Sequence, residues 1–253
     1  MTKIIEQWLD PPEKVVLEAG DLHVWRVWLD QQSAVYLAQL REILSPDERE
    51  RAARFHFPQH RERYIVARGT LRLLLGRYLG RSPESVAFTY GPQGKPALGE
   101  GTAQETLAFN VAHSEDVALL AFIWGRPVGV DIEHIRPLKD MAQLAARFFS
   151  VEEYQVWQAV SADSQDEAFF NCWSRKEAYI KALGEGLSHP LDRFVVTLRP
   201  GEVGRLVTVD GSAALAAKWQ MQALHPMTGY ASAVIVEGGW DRLKCWYFRS
   251  QVI

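Results

Sequence analysis

Apolar and polar positions change period several times along the chain, and each change predicts an element. Leu22, Val24, Trp25, Val27 and Leu29 read as a strand, with Asp30 leading into a helix. Ser45-Pro46-Asp47-Glu48 puts a serine at an N-cap, proline at the first helical position and acids in the first turn, which starts another helix. A longer helix is predicted over 58–79. There Ile65, Leu71, Leu74, Leu75 and Tyr78 form an apolar stripe, flanked or opposed by Arg63, Arg68, Arg72 and Arg77.

GPQGKPAL reads as a turn ending in a short extended piece, and LAFNVAHSEDVALLAFIW as strand, turn and strand. Gly125-Arg126-Pro127 breaks the chain before the strand VGVDIE. Helical periods return over 141–160 and 167–183, and FVVTL, KWQMQAL, YASAVIV and KCWYF close the chain as strands.

The two halves read alike. An offset of 109 residues aligns Tyr64 with Trp173, Arg68 with Glu177, Leu71 with Ile180 and Arg72 with Lys181, and Ala118 further on corresponds to Ala231. Chance matching of amphipathic helices is the rival explanation. A true duplication predicts an α+β fold of two similar subdomains, 1–125 and 126–253, with a ligand cleft between them and VGVDIE at the seam.

Composition narrows the class. The chain has 253 residues, 47% hydrophobic and 23% charged, with nine tryptophans and eleven phenylalanines for a core. No apolar run approaches the roughly 18 residues of a membrane span, and the start MTKIIEQWLD lacks a signal-peptide core, so a cytoplasmic protein without membrane attachment is expected. Cys172 and Cys245 share no metal or redox spacing and are expected to be buried thiols outside any disulfide. The net charge of −3 speaks against nucleic acid as a partner. From Arg41 to Arg81, however, ten arginines face five acids, which suits a phosphorylated small molecule or an acidic partner.

The candidate chemistry lies in GVDIE and WSRKEAYIKALGEGL. Side chains alternate on a strand, so Asp131 and Glu133 share one face. Trp173, Glu177, Lys181 and Gly184 share a helix face at three- and four-residue steps. Three carboxylates beside a lysine suit a divalent cation holding a phosphate. The alternative is a surface strand end and an ordinary Glu177–Lys181 ion pair. Trp173 is read as packing that anchors the Glu177 helix.

These two motifs, with SPDERERAARF, RYIVARGTLRLLLGRYL, GPQGKPAL, FNVAHSED and FFSVEEY between about 40 and 196, resemble the 4′-phosphopantetheinyl transferases of the larger, surfactin-synthetase-activating (Sfp) type. The resemblance implies subdomains related by a pseudo-twofold, with coenzyme A and Mg²⁺ in the cleft. It implies transfer of the phosphopantetheine arm to a serine of an apo acyl or peptidyl carrier protein, with release of 3′,5′-ADP. On it, Asp131, Glu133 and Glu177 are the metal ligands, and Glu177, Lys181 and His113 carry the chemistry. Arg51, Arg68, Lys95, His113 and Lys181 contact coenzyme A.

Two departures stand out: Ala112 replaces a serine found in some relatives, so that hydroxyl contact is either missing or supplied by Ser114, and Glu48 replaces a lysine. Phe148, Phe149 and Tyr154 are either carrier contacts or core. The duplicated halves make a monomer the expected state. Other readings are a different Mg²⁺-dependent nucleotide phosphotransferase, disfavoured by the lack of a P-loop or Rossmann glycine pattern, or a non-catalytic carrier-binding module.

Overall fold

The structure, a computed structural model, describes residues 7–99 and 106–249. A short β1 (Trp8–Leu9) precedes β2 (Asp21–Trp28), which is followed by helices α1 (Ala34–Glu42), α2 (Pro46–Ala53) and α3 (Pro58–Leu79). A hairpin of β3 (Phe88–Tyr90) and β4 (Pro96–Leu98) leads to β5 (Leu107–Ser114) and β6 (Val117–Trp124). The order then repeats. Strand β7 (Val128–His134) leads into α4 (Met141–Phe148), α5 (Val151–Gln158) and α6 (Gln165–Leu183). A hairpin of β8 (Phe194–Val196) and β9 (Leu206–Val209), the one-turn α7 (Ala213–Ala216), β10 (Trp219–Leu224) and β11 (Tyr230–Glu237) complete the round, and β12 (Arg242–Tyr247) follows.

The fold is α+β. The main sheets run β1-β12-β2-β6-β5 and β10-β11-β7. In each, the strand before the helices pairs antiparallel with the central strand, β6 or β11, which pairs antiparallel with β5 or β10. Strand β12 returns to the first sheet, parallel to β2. There the buried Asp21 accepts hydrogen bonds from Arg242 at 2.6 Å and Lys244 at 2.8 Å.

Strand β6 is apolar throughout, and β11 is so from Ala231 to Val236 save for the buried Ser232, because both faces of each sheet are covered. Val117, Leu119, Ala121 and Ile123 share a core with Val128, Val130, Ile132, Val234 and Val236, where the two sheets pack together. Alternate residues face outward: Ala118, Leu120 and Phe122 toward α1 to α3, and Ala231, Ala233 and Ile235 toward α4 to α6. The order is therefore helices, sheet, sheet, helices. Full burial of about a dozen such side chains, at roughly 1.5–3 kcal/mol each, is the main force holding it.

The repeat extends to side chains. Glu48 completes the capping box of α2 and Glu153 that of α5. Each is buried and ion-paired to a cation on the long helix, Glu48 to Arg72 at 2.6 Å and Glu153 to Lys176 at 2.7 Å. Arg72 also donates to the carbonyls of Pro83 and Val86, and Lys176 to those of Leu191 and Phe194, just before or at each hairpin. Arg72 thus corresponds to Lys176, which corrects the 109-residue helix alignment that paired it with Lys181. The pairing of Ala118 with Ala231 agrees with the strand faces.

Arg72 also departs from its place on the rim of an apolar stripe: it is only 2% exposed. The single helix expected over 141–160 is two, broken at Phe149-Ser150. Ser150 accepts from the Glu153 N–H while its own N–H donates to the Glu153 carboxylate. That Ser-x-x-Glu box is visible in the sequence and stops α4 from continuing. Phe149 is buried in the core, whereas Phe148, edge-on to Trp173 at 5.5 Å, and Tyr154, stacked on Trp157 at 5.8 Å, are half-buried. Trp173 packs as expected, also stacking on Phe169. Cys172 and Cys245 are both buried, and no disulfide joins them.

Candidate active site

Strand β7 and helix α6 build the acidic half of the site. The outward residues of β7, beginning with Gly129, face α6 and carry Asp131 and then Glu133, while Val130 and Ile132 go to the inter-sheet core. On α6, Glu177 and Lys181 lie one turn apart. Lys181 donates to Asp131 Oδ1 at 2.5 Å. Asp131 is only 3% exposed, and its second oxygen, Oδ2, is buried with no hydrogen-bond partner. Glu133 accepts from the Ser114 hydroxyl at 3.2 Å, and that hydroxyl accepts from the His134 N–H at 3.0 Å. The hydroxyl considered for the ligand is thus engaged with an acid.

Charge in this cluster is unbalanced. Burial pushes the Asp131 carboxyl up to about 7, helped by Glu133 and Glu177 and opposed by Lys181. Glu177 is likewise raised, by burial first and then by Glu133. Burial pulls the Lys181 ammonium down, but Asp131, Glu177 and Glu133 outweigh it and the net shift is upward. One lysine thus answers three carboxylates. Among the described residues no group of three or more His, Cys, Asp or Glu side chains is drawn together tightly enough to hold an ion as it stands. The orphaned Asp131 oxygen and the mutual repulsion of the acids nevertheless fit an added hard cation with oxygen ligands.

The basic half is a cavity of about 510 Å³ whose wall includes Arg51, His60, Arg63, Arg68, His113 and Ser114. Ser114 lines this cavity and bonds Glu133, so the two halves of the site share a wall. His113 stands at the rim. Its pKa is lowered by burial, with Lys181, Arg63 and His60 adding positive charge nearby, so it is uncharged at neutral pH and offers one N–H. Arg51 reaches in over the ring of Tyr64.

Arg68 borders the cavity with its guanidinium already engaged. Its Nε donates to Glu48 at 2.5 Å, it covers the Phe88 ring at 3.9 Å, and it donates to the Tyr90 hydroxyl at 2.7 Å. Glu48, in place of a lysine, is the buried anion that orders Arg68 and Arg72. Lys95, also expected at a phosphate, lies against the end of α6 and the start of β7. Its ammonium donates to the carbonyls of Val128, Lys181 and Ala182.

Sequence reasoning passed over Arg63 and His60. Arg63 is held two-pronged by Asp30 at 2.8 Å and 2.8 Å, and faces the cavity beside His60. The signal was present, since His60, Arg63, Tyr64, Ala67 and Leu71 recur at helical spacing and all line the cavity.

Comparison with known proteins agrees over the whole chain. A family profile described as 4′-phosphopantetheinyl transferase superfamily matches residues 127–235, and one described as 4′-phosphopantetheinyl transferase, N-terminal, matches residues 27–124. The chain is 39% identical over 242 residues to the 4′-phosphopantetheinyl transferase HetI of Nostoc sp., covering 95% of this chain and 98% of that one. It is 34% identical over 156 residues to the 4′-phosphopantetheinyl transferase Sfp of Bacillus subtilis, covering 62% of this chain and 67% of that one. With its acid cluster, basic cavity and near end-to-end similarity, the chain belongs to the 4′-phosphopantetheinyl transferase superfamily.

Proposed function

We propose that this protein transfers the 4′-phosphopantetheine arm of coenzyme A to a serine of an apo carrier protein, with Mg²⁺, releasing 3′,5′-ADP. The observation that carries the reading is the surplus of negative charge at the buried Asp131 and the half-buried Glu133 and Glu177, next to a cavity rimmed by Arg51, Arg63 and His113. An acid cluster in want of a cation beside an anion-binding wall is what a metal-bound diphosphate requires.

In this reading Asp131, Glu133 and Glu177 hold the metal, which when bound neutralises the diphosphate as a Lewis acid. The serine Oγ attacks the β-phosphorus; the bond from that phosphorus to the 3′,5′-ADP oxygen breaks, and the serine proton passes to Glu177. Lys181 steadies charge on the departing phosphate, and His113 donates its N–H to a phosphate oxygen. Arg51 and Arg63 bind the remaining phosphate, with Arg68 bordering the same wall.

The subdomains of this reading are 1–125 and 126–253, acting as a monomer in the cytoplasm. No helix among the described residues is long and apolar enough to cross a membrane. The test is to incubate the protein with coenzyme A, Mg²⁺ and an apo carrier protein and measure the carrier's mass. Gain of one phosphopantetheine arm, abolished by a chelator, is the expected result. No gain with several carriers that a known transferase modifies in parallel would overturn the reading.

A further inference from the structure

We propose that Lys95 is a positioning residue for the transfer reaction: reaching across from the first half, it takes the open carbonyls at the end of α6 and thereby sets Lys181 over Asp131. This rests on the functional reading above and assigns Lys95 a role that needs no contact with the ligand.

The last turn of any helix leaves carbonyls without partners inside the helix. In α6, the Gly184 N–H takes the carbonyl of Ile180 at 3.0 Å, with Gly184 in the left-handed region at φ 78°. The next two carbonyls, of Lys181 and Ala182, accept from Lys95 Nζ at 2.5 Å and 3.3 Å. The third ammonium proton goes to the Val128 carbonyl at the start of β7, at 3.2 Å. All three donors of the group are thereby used, and a cation at a helix C-terminus is also favoured by the helix dipole.

The arrangement is built from the sequence upward. Lys95 sits in the turn between β3 and β4, where the Gly91 N–H donates to the Lys95 carbonyl at 3.0 Å and the Gly94 N–H to the Gly91 carbonyl at 2.8 Å. Gly94 adopts φ 76°, which turns the chain so that Lys95 projects toward α6. The hairpin tip lies on the loop after α6: a Cβ on Gly184 would meet Lys95 Cδ at 3.7 Å, and one on Gly186 would meet Gln93 Cβ at 3.4 Å. Burial draws the Lys95 pKa down to about 8, as expected of an ammonium withdrawn from water. Pro96 borders the arginine-lined cavity, whereas Lys95 does not.

One side chain therefore ties together the strand that carries Asp131 and the helix that carries Lys181. The 2.5 Å contact between those two depends on where the strand and helix ends stand. A small misplacement of catalytic groups is costly, because the reaction needs them aligned.

The experiment uses the full chain and measures transfer with coenzyme A and with 3′-dephospho-coenzyme A. Lys95→Met is expected to lower kcat about tenfold or more with both donors. Added to Lys181→Ala, it should cause no further loss, since both act through the same group. Lys95→Arg, which still donates to carbonyls, should recover most of the rate. Should Lys95→Met fail to fold, Lys95→Gln goes through the same cycle. An unchanged rate, a penalty that vanishes with the dephospho donor, or losses that multiply with Lys181→Ala would overturn the positioning role while leaving the proposed activity standing. A wild-type protein that transfers nothing overturns both.

Discussion

Gly129 of β7 and Ala178 of α6 meet backbone to backbone: a Cβ on Gly129 would fall 1.9 Å from the Ala178 carbonyl oxygen and 2.6 Å from the Ala182 nitrogen. No side chain fits between strand and helix at this point. Asp131 lies two residues along the strand, and Glu177 and Lys181 each immediately precede one of the two contacting residues on the helix. The closeness that glycine permits is what lets acids from two distant stretches of chain repel one another and share one lysine.

Gly129→Ala should accordingly force β7 and α6 apart. Neither neighbour is a flexible side-chain end, so relief needs a backbone shift. We expect a loss of about 3 kcal/mol or more in urea unfolding, together with loss of transfer. A change below about 1 kcal/mol would show that the contact does not set the spacing.

Asp131→Asn and Glu177→Gln keep shape and remove charge. Each should lower the transfer rate by about 100-fold or more while far-UV circular dichroism stays that of the wild type. Full activity in Glu177→Gln would remove that residue as the base.

Lys176→Met leaves the buried Glu153 carboxylate without its ion-pair partner. The expected cost is about 3–5 kcal/mol. Arg72→Met, the equivalent change in the first half, should cost less, because Glu48 keeps its ion pair with Arg68 while the Pro83 and Val86 carbonyls lose their donor. Paired urea melts of the two variants check both values, and a loss under about 1 kcal/mol in either would sink the view that these are matching locks.

Stability should fall in mild acid through His23. The residue is 1% exposed, and burial, aided by Lys244 and opposed by Asp21, lowers its pKa to about 4 from 6.5. Between those values the unfolded chain binds a proton that the folded one refuses, so the His23 contribution to stability rises with pH from about 4 to about 6.5 and is flat above, opposite in sign to that of Asp131. The span corresponds to about 3 kcal/mol. His23→Asn should flatten this part of the pH profile measured by urea unfolding; an unchanged slope would assign it to other groups.

Much of the first and second rounds of the fold was legible locally. The helix start at Ser45-Pro46, the 58–79 stripe and the apolar strands each follow from patterns within short windows, and each stands as read. The acids and Lys181 were legible because strand and helix periods alone put them on common faces. Arg72 was misread because its partner, Glu48, lies 24 residues away, and an arginine beside an apolar stripe looks the same whether it meets water or a buried acid. The carbonyl contacts of Lys95 were out of reach for the same reason, since a turn lysine carries no local sign of carbonyls 33, 86 and 87 residues distant.

The register of the two sheets shows where local pattern ends. Trp25 and Val27 pair with Leu120 and Ala118, while Asp131 and Glu133 pair with Ala233 and Ala231, the matching positions of the other half. The same strand places thus hold packed core in one half and the acids of the site in the other. The sequence alone determined the elements, the repeated order and the residue types able to carry phosphoryl chemistry, because those follow from periodicity and side-chain chemistry within short windows. The tertiary structure alone decided which cations line the cavity and which are spent on buried partners, because a charge's role depends on its distance to groups far along the chain and on how much water is left around it.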